Sequence, residues 1–138
     1  MDIKVSDTIE KAVGQLLDTG LDTLSAELAP DEDKPVHLQV CCREADGAVI
    51  GGLIGNTGNG WLHIWQFWVT EAHRGQGIGS RILIAAEAEA VRRGCTRAHV
   101  ETLSFQAPKF YADHGYEEFG VLPGYVGTHA QHYFRKVL

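Results

Sequence analysis

The sequence predicts an α/β (α+β) fold in which alternating strands build one sheet and amphipathic helices cover it. Three observations carry this. An apolar strand, Trp61 to Val69, runs through a glycine-dense turn directly into a helix with an apolar stripe. Segments of alternating polarity flank that unit on both sides. Helical spacing of apolar residues also recurs near the start of the chain. With 138 residues, 44% of them hydrophobic, the chain has the size of one domain and can bury a real core, so residues 1–138 are read as a single domain.

The elements follow in order. Ile3 to Val5 reads as a short strand, with Ser6 or Asp7 placed to cap the next helix. Ile9, Val13, Leu16 and Leu17 recur at helical spacing, which implies one buried face. Gly20 breaks or bends that helix, and Leu21, Leu24 and Leu28 continue the pattern, so two short helices or one interrupted helix precede the loop at Ala29-Pro30-Asp31. Val36 to Arg43 and Ala48 to Ile54 form a hairpin around Ala45-Asp46-Gly47, and Gly55 to Gly60 makes a second turn. In Trp61 to Val69, strict alternation puts Trp61, His63, Trp65, Phe67 and Val69 on one face and Leu62, Ile64, Gln66 and Trp68 on the other. Both are mainly apolar, which predicts a central strand covered on each side.

A helix from Ile78 to Arg93 carries the stripe Gly79, Ile82, Leu83, Ala86 and Ala90, pairs Glu89 with Arg93, and stops at Gly94. Thr96 to Leu103 is the next strand, and Pro108 opens a short helix that ends near Gly115. Tyr116 to Leu122 and His132 to Leu138 close the sheet as an antiparallel pair linked by Pro123-Gly124-Tyr125.

Composition excludes several functions. A net charge of −6 argues against general nucleic-acid binding and favours a cationic substrate. No secretory pattern follows Met1, and no apolar run reaches the roughly 18 residues of a membrane span, so a soluble, cytoplasmic protein without membrane contact is expected. Three cysteines make neither a disulfide framework nor a zinc spacing. Seven histidines without H-E-x-x-H or cysteine pairing lead to the expectation of no metal site.

The segment Trp65 to Ser80, WQFWVTEAHRGQGIGS, carries the chemistry. Glycines at 75, 77 and 79 let main-chain N–H groups approach a bound group, and the helix that follows adds unpaired donors and the positive end of its dipole. Arg74 adds a full charge, so a diphosphate is the natural guest. The nucleoside-triphosphate loop is excluded because Gly79 is followed by Ser80-Arg81, with no lysine. The dinucleotide fingerprint fits poorly, since the spacing is G-x-G-x-G at mid-chain. What remains is R-x-x-G-x-G from Arg74, Gly77 and Gly79, or else a tight turn without a ligand.

That pattern resembles the coenzyme A pyrophosphate loop of the GNAT superfamily of acyl-CoA-dependent N-acyltransferases. A second GNAT-like motif, A-x-x-x-Y-x-x-x-G-[FY], is present as Ala107, Tyr111, Gly115 and Tyr116, in the right order and with room for a helix and a strand between the two. The resemblance spans Trp61 to Leu122. It implies the GNAT fold, a twisted, mixed, mostly antiparallel sheet of about six to seven strands with helices on both faces, the N-terminal helical region walling the acceptor side.

It implies acetyl-CoA as co-substrate and, as acceptor, the primary amine of a small molecule ahead of a peptide, attacking directly in a ternary complex. By the same resemblance, Arg74 and the N–H groups of Gly75, Gln76, Gly77, Ile78, Gly79 and Ser80 hold the diphosphate. The backbone of Trp68 and Val69 pairs with the pantetheine arm in a splayed gap beside Thr96 to Leu103. Tyr111 contacts the cofactor and protonates the departing thiolate. Ser104 stands where the superfamily usually carries Asn, which weakens that pantetheine contact.

Many relatives place an acid on the strand before the loop, but Trp65-Gln66-Phe67 offers none. Glu101 is then the catalytic base of choice and His63 its rival, against readings as a cross-strand carboxylate and a core histidine. Trp61, Trp65, Phe67, Phe105 and Phe110 line a pocket or belong to the core. Tyr125, His129 and His132 close over substrate or meet a second copy in a homodimer. The missing acid and Ser104 also suit a non-catalytic acyl-CoA-binding or sensing module. Nothing in the sequence names the amine.

Overall fold

A computed structural model describes all residues, Met1–Leu138. They form two compact units, Met1–Asp33 and Lys34–Leu138. In the first, helix α1 (Lys11–Leu28) runs unbroken through Gly14 and Gly20, so the predicted interruption is absent. Each glycine costs a helix about 1 kcal/mol relative to alanine, which the leucine-rich remainder outweighs. None of its residues is buried, contrary to the buried face predicted from its stripe. Ile3 to Val5 is not a strand, because no ladder partner is available to it. Ser6 does not cap the helix either: its hydroxyl accepts the Thr8 N–H at 3.1 Å, and Glu10 occupies the N-cap.

The second unit is a six-stranded sheet with β1 (Val36–Arg43), β2 (Val49–Gly58), β3 (Trp61–Val69), β4 (Arg97–Leu103), β5 (Glu117–Val126) and β6 (His129–Val137) in the order β1-β2-β3-β4-β6-β5. All neighbours are antiparallel except β3 and β4, which are parallel and joined through helix α2 (Ile78–Arg92). A short helix α3 (Pro108–Asp113) links β4 to β5. Leu38, Leu53, Leu62, Ile64 and Leu83 are fully buried between the sheet and α2, each worth roughly 1.5–3 kcal/mol. Arg93 fastens the end of α2 to the sheet by donating to the His37 carbonyl at 2.9 Å, while also pairing with Glu89 at 2.7 Å as expected.

Two turns differ from expectation. β2 continues to Gly58, so the second hairpin turns on Asn59-Gly60 alone; both residues have positive φ, the conformation that a two-residue hairpin turn demands. Pro123-Gly124-Tyr125 is not the closing turn but an interruption in the β5–β6 ladder between Leu122 and Val126, and Gly127-Thr128 makes the turn. β5 is an edge strand, where a residue without an N–H is tolerated. His129 therefore lies in β6 with His132, not in a loop.

The largest difference falls in β3. Gln66 pairs with Ile54 and Ile64 with Gly55, leaving Trp65 as an extra, bulged residue. Strict alternation breaks there: Phe67 and Val69 join Leu62 and Ile64 against the core, while Trp65 stays on the His63 face. A Cβ on Gly55 would collide with the His63 carbonyl, so glycine at this place lets the two backbones close around the bulge. Nor is β3 covered on both faces, since Trp68 is 65% exposed.

Candidate active site

β3 and β4 pair only from Trp61↔Arg97 to Ile64↔Val100. Beyond that they diverge, with β3 held by β2 and β4 by β6. A fork opens at the bulge, as the splayed gap required. On its helix side lies the glycine loop; on its open side lies a row of aromatic and ionisable groups.

The loop starts at Thr70, whose N–H bonds the Ile50 carbonyl at 2.9 Å. His73 pins the turn that follows, with Nδ1 2.8 Å from the Thr70 hydroxyl and Nε2 2.7 Å from a Glu44 carboxylate oxygen. Gly75 and Gly77 have φ of 72° and 77°, a left-handed conformation strained for any side chain, and a Cβ at either would project into open space. The first bond of α2 runs from the Arg81 N–H to the Gly77 carbonyl at 3.1 Å, so the N–H groups of Ile78, Gly79 and Ser80 precede the helical ladder. These three N–H groups lie in the first turn, where an α-helix has no intrahelical acceptor for them.

The side chains around the loop are engaged within the protein. Gly79 faces neighbouring side chains: a Cβ there would meet the Phe110 ring at 3.4 Å, so its smallness serves helix packing. Arg74 turns back, its Nε donating to the Val69 carbonyl at 3.1 Å and its guanidinium lying 4.3 Å from the Trp68 ring centre. Gln76 donates its side-chain amide to the Ala72 carbonyl at 3.3 Å. The Ser80 hydroxyl lies 2.8 Å from Nε2 of His114, whose Nδ1 lies 2.7 Å from the Phe110 carbonyl; Nδ1–H donates to that carbonyl, so Nε2 accepts from Ser80.

Tyr111 is 4% exposed, edge-on to Tyr116, and its hydroxyl has no hydrogen-bond partner within the chain. Burial pushes the phenol well above its usual range, so it stays protonated at neutral pH. Tyr116, the last residue of the second motif, is structural: its hydroxyl donates to Glu87 at 2.9 Å, and Lys136 completes the network at 2.9 Å. Ser104 is committed to β6, accepting the Ala130 N–H at 3.1 Å with His129 Nδ1 at 3.2 Å.

On the open side, ring contacts run continuously across β1, β3 and β4. His37 meets Trp65 edge-on at 5.7 Å, Trp65 meets His63 at 6.2 Å, His63 stacks on His99 at 4.1 Å, and His99 meets Trp61 edge-on at 5.4 Å. Glu101 binds the middle of this row, one oxygen 2.9 Å from His63 Nε2 and the other 3.8 Å from His99 Nδ1. The sequence named Glu101 and His63 as separate candidates, and the fold makes them one unit. His99 was missed, although it shares a face with Glu101 two residues away. Burial first, and then the His63 ring, hold His99 below the usual histidine range.

The ligand atoms of His63, His99 and Glu101 lie within 4.8 Å of one another, a donor set that divalent transition metals accept. The rings are nonetheless stacked and not convergent, and Trp65 donates to His63 Nδ1 at 3.0 Å, which leaves the ring proton on Nε2. The geometry is that of a hydrogen-bonded carboxylate. A cavity of about 410 Å³ opens beside it over β1–β3, lined by Gln39, Cys41, Gly52, Ile54, Gln66 and Trp68 among others; neither His63 nor Glu101 lines it.

Comparison with known proteins bears on this arrangement. Residues 10–116 match the acetyltransferase (GNAT) family. The chain is 41% identical over 85 residues to the acetyltransferase Atu2258 of Agrobacterium fabrum, covering 62% of each protein. It is 42% identical over 91 residues to the blasticidin-S acetyltransferase of Streptomyces morookaense, covering 65% of this chain and 66% of that one. The matches thus span less than two thirds of either curated relative. The crystal structure of an acetyltransferase from Bacillus cereus superposes over 98% of both chains with a TM-score of 0.88 at 29% identity. The six-stranded mixed sheet thus has its counterpart in a solved structure, the family match covers most of the chain, and the chain belongs to the acetyltransferase (GNAT) family.

Proposed function

We propose that the chain transfers an acetyl group from acetyl-CoA to a primary amine of a small, cationic molecule. The observation that carries this reading is the fork between β3 and β4, which has the glycine loop at the start of α2 on one side and a hydrogen-bonded carboxylate on the other. The residues present fit the cofactor: left-handed Gly75 and Gly77 keep the loop clear of side chains, and the first-turn N–H groups of α2 supply donors. Acetyl-CoA brings the activated acyl group. The free edge of β3 at Trp68 and Val69 pairs with the arm, and Arg74 exchanges its Val69 bond for a phosphate.

Glu101 takes a proton from the ammonium group, which would otherwise hold it to a pKa of about 10.4. The freed nitrogen lone pair forms the C–N bond as the C–S bond breaks. Tyr111 gives its proton to the departing sulfur and is restored by the second proton lost from nitrogen. The net charge of −6 favours encounter with a cation, and the relative that acetylates blasticidin S makes basic antibiotics the first acceptors to try.

The test is thiol release from acetyl-CoA with a panel of amines that includes blasticidin S, alongside calorimetry with acetyl-CoA. Turnover on at least one amine supports the reading. Tight acetyl-CoA binding without turnover on any of them overturns it in favour of the sensing module.

A further inference from the structure

We propose that Trp65 is a positioning residue: its indole N–H fixes His63 as the neutral, Nε2-protonated ring, which clamps one oxygen of Glu101 and leaves the other to accept the amine's proton. The catalytic half rests on the acetyl-transfer reading above, while the half concerning the ring proton rests on hydrogen-bond geometry alone.

An indole nitrogen can only donate. At 3.0 Å from His63 Nδ1 it requires a lone pair there, so a neutral ring carries its hydrogen on Nε2, which donates to Glu101 at 2.9 Å. An imidazolium would set N–H against N–H, so protonating His63 means breaking the Trp65 bond. The remaining groups around this ring agree. From β4, His99 stacks on it at 4.1 Å, and two stacked rings resist sharing charge; the same proximity helps to hold His99 in its neutral form. From β1, His37 meets only the edge of Trp65. From β6, Tyr133 stands opposite Glu101, and Arg135, opposite His99, is directed to Glu117 at 3.7 Å. Arg97 lies over Trp61 at the end of the row.

Trp65 shares the His63 face by ordinary alternation, and it is also the bulged residue, opposite Gly55, after which the strand presents its other side. The missing acid before the glycine loop is thereby replaced by a carboxylate from the next strand, held at the fork by two residues of β3.

Imidazole ¹⁵N NMR of the full wild-type chain, without substrate, reads the proton position directly. The expected result is a bare Nδ1 and a protonated Nε2 on His63; the opposite form overturns the proposal whatever the enzyme's activity. In Trp65→Phe, Nδ1 loses its donor, and the same spectra should show the Nδ1-protonated form of His63 beside the Nε2-protonated one. A ring that keeps its proton wholly on Nε2 in this variant overturns the proposal. With the clamp on Glu101 loosened, kcat/KM for the amine should fall about tenfold while acetyl-CoA affinity by calorimetry stays unchanged. A mixed ring with an unchanged kcat/KM overturns the catalytic half.

Discussion

The two sides of the β3–β4 fork are built from different materials. The glycine loop is a backbone object: left-handed Gly75 and Gly77 and the first turn of α2 present N–H groups, and the nearby side chains are mostly occupied elsewhere. The open side is a side-chain object, in which His37, His63, Trp65, His99 and Glu101 arrive from three strands and depend on register for their contacts. A backbone site tolerates most exchanges and fails at a glycine. A side-chain site fails at single functional groups, and at whatever sets the register.

The largest effects should therefore come from groups that handle protons. Glu101→Gln keeps the shape and one acceptor oxygen for His63 but removes the charge, and kcat/KM should fall by about 10²–10⁴-fold with acetyl-CoA affinity unchanged by calorimetry. A rate close to that of the wild type would place the base elsewhere. Tyr111→Phe should lower kcat by about 10²-fold. Because the hydroxyl has no partner in the chain, its removal should leave thermal stability essentially intact, and this separates lost chemistry from lost packing.

Gly77→Ala attacks the other material. A side chain at φ 77° strains the backbone by about 1–2 kcal/mol, and its Cβ points into the space that the loop keeps open. We expect acetyl-CoA to bind about tenfold more weakly, or about 1.4 kcal/mol, with kcat at saturation nearly retained. A lowered kcat with unchanged affinity would mean that the loop does not hold the cofactor.

The same contrast explains what could be read before folding. Glycine spacing, a helix stripe and a tyrosine motif are local, so the loop, α2 and α3 were legible from consecutive residues. Even there, Gly79 carried a packing role that spacing alone could not separate from a binding one, because Phe110 lies 31 positions away in sequence. The open side was legible only as a set of candidates. Alternation assigned faces correctly through Trp65 and wrongly after it, because one extra residue at that bulge reverses the remainder of β3. Gly55, the partner that permits the bulge, looked like part of a turn. The pairing of His63 with His99 is a register fact between parallel strands joined by a whole helix, and no short window of sequence contains it.

The smallest expected effect concerns pH and sharpens the side-chain half of the contrast. His99 titrates below its usual range in the folded chain, first because it is partly buried and next because His63 faces it. The unfolded chain then binds a proton more readily than the folded one through this window, so His99 favours folding above about pH 6.5 and that contribution is lost as pH falls toward its lowered value. Urea denaturation at about pH 7.5 and about pH 5.5 should show the wild type losing more stability on acidification than His99→Gln does. About a third of the side chain is exposed, so solvent screens the effect and the difference should be modest. Equal losses in the two proteins would mean that the stacked pair does not resist charge.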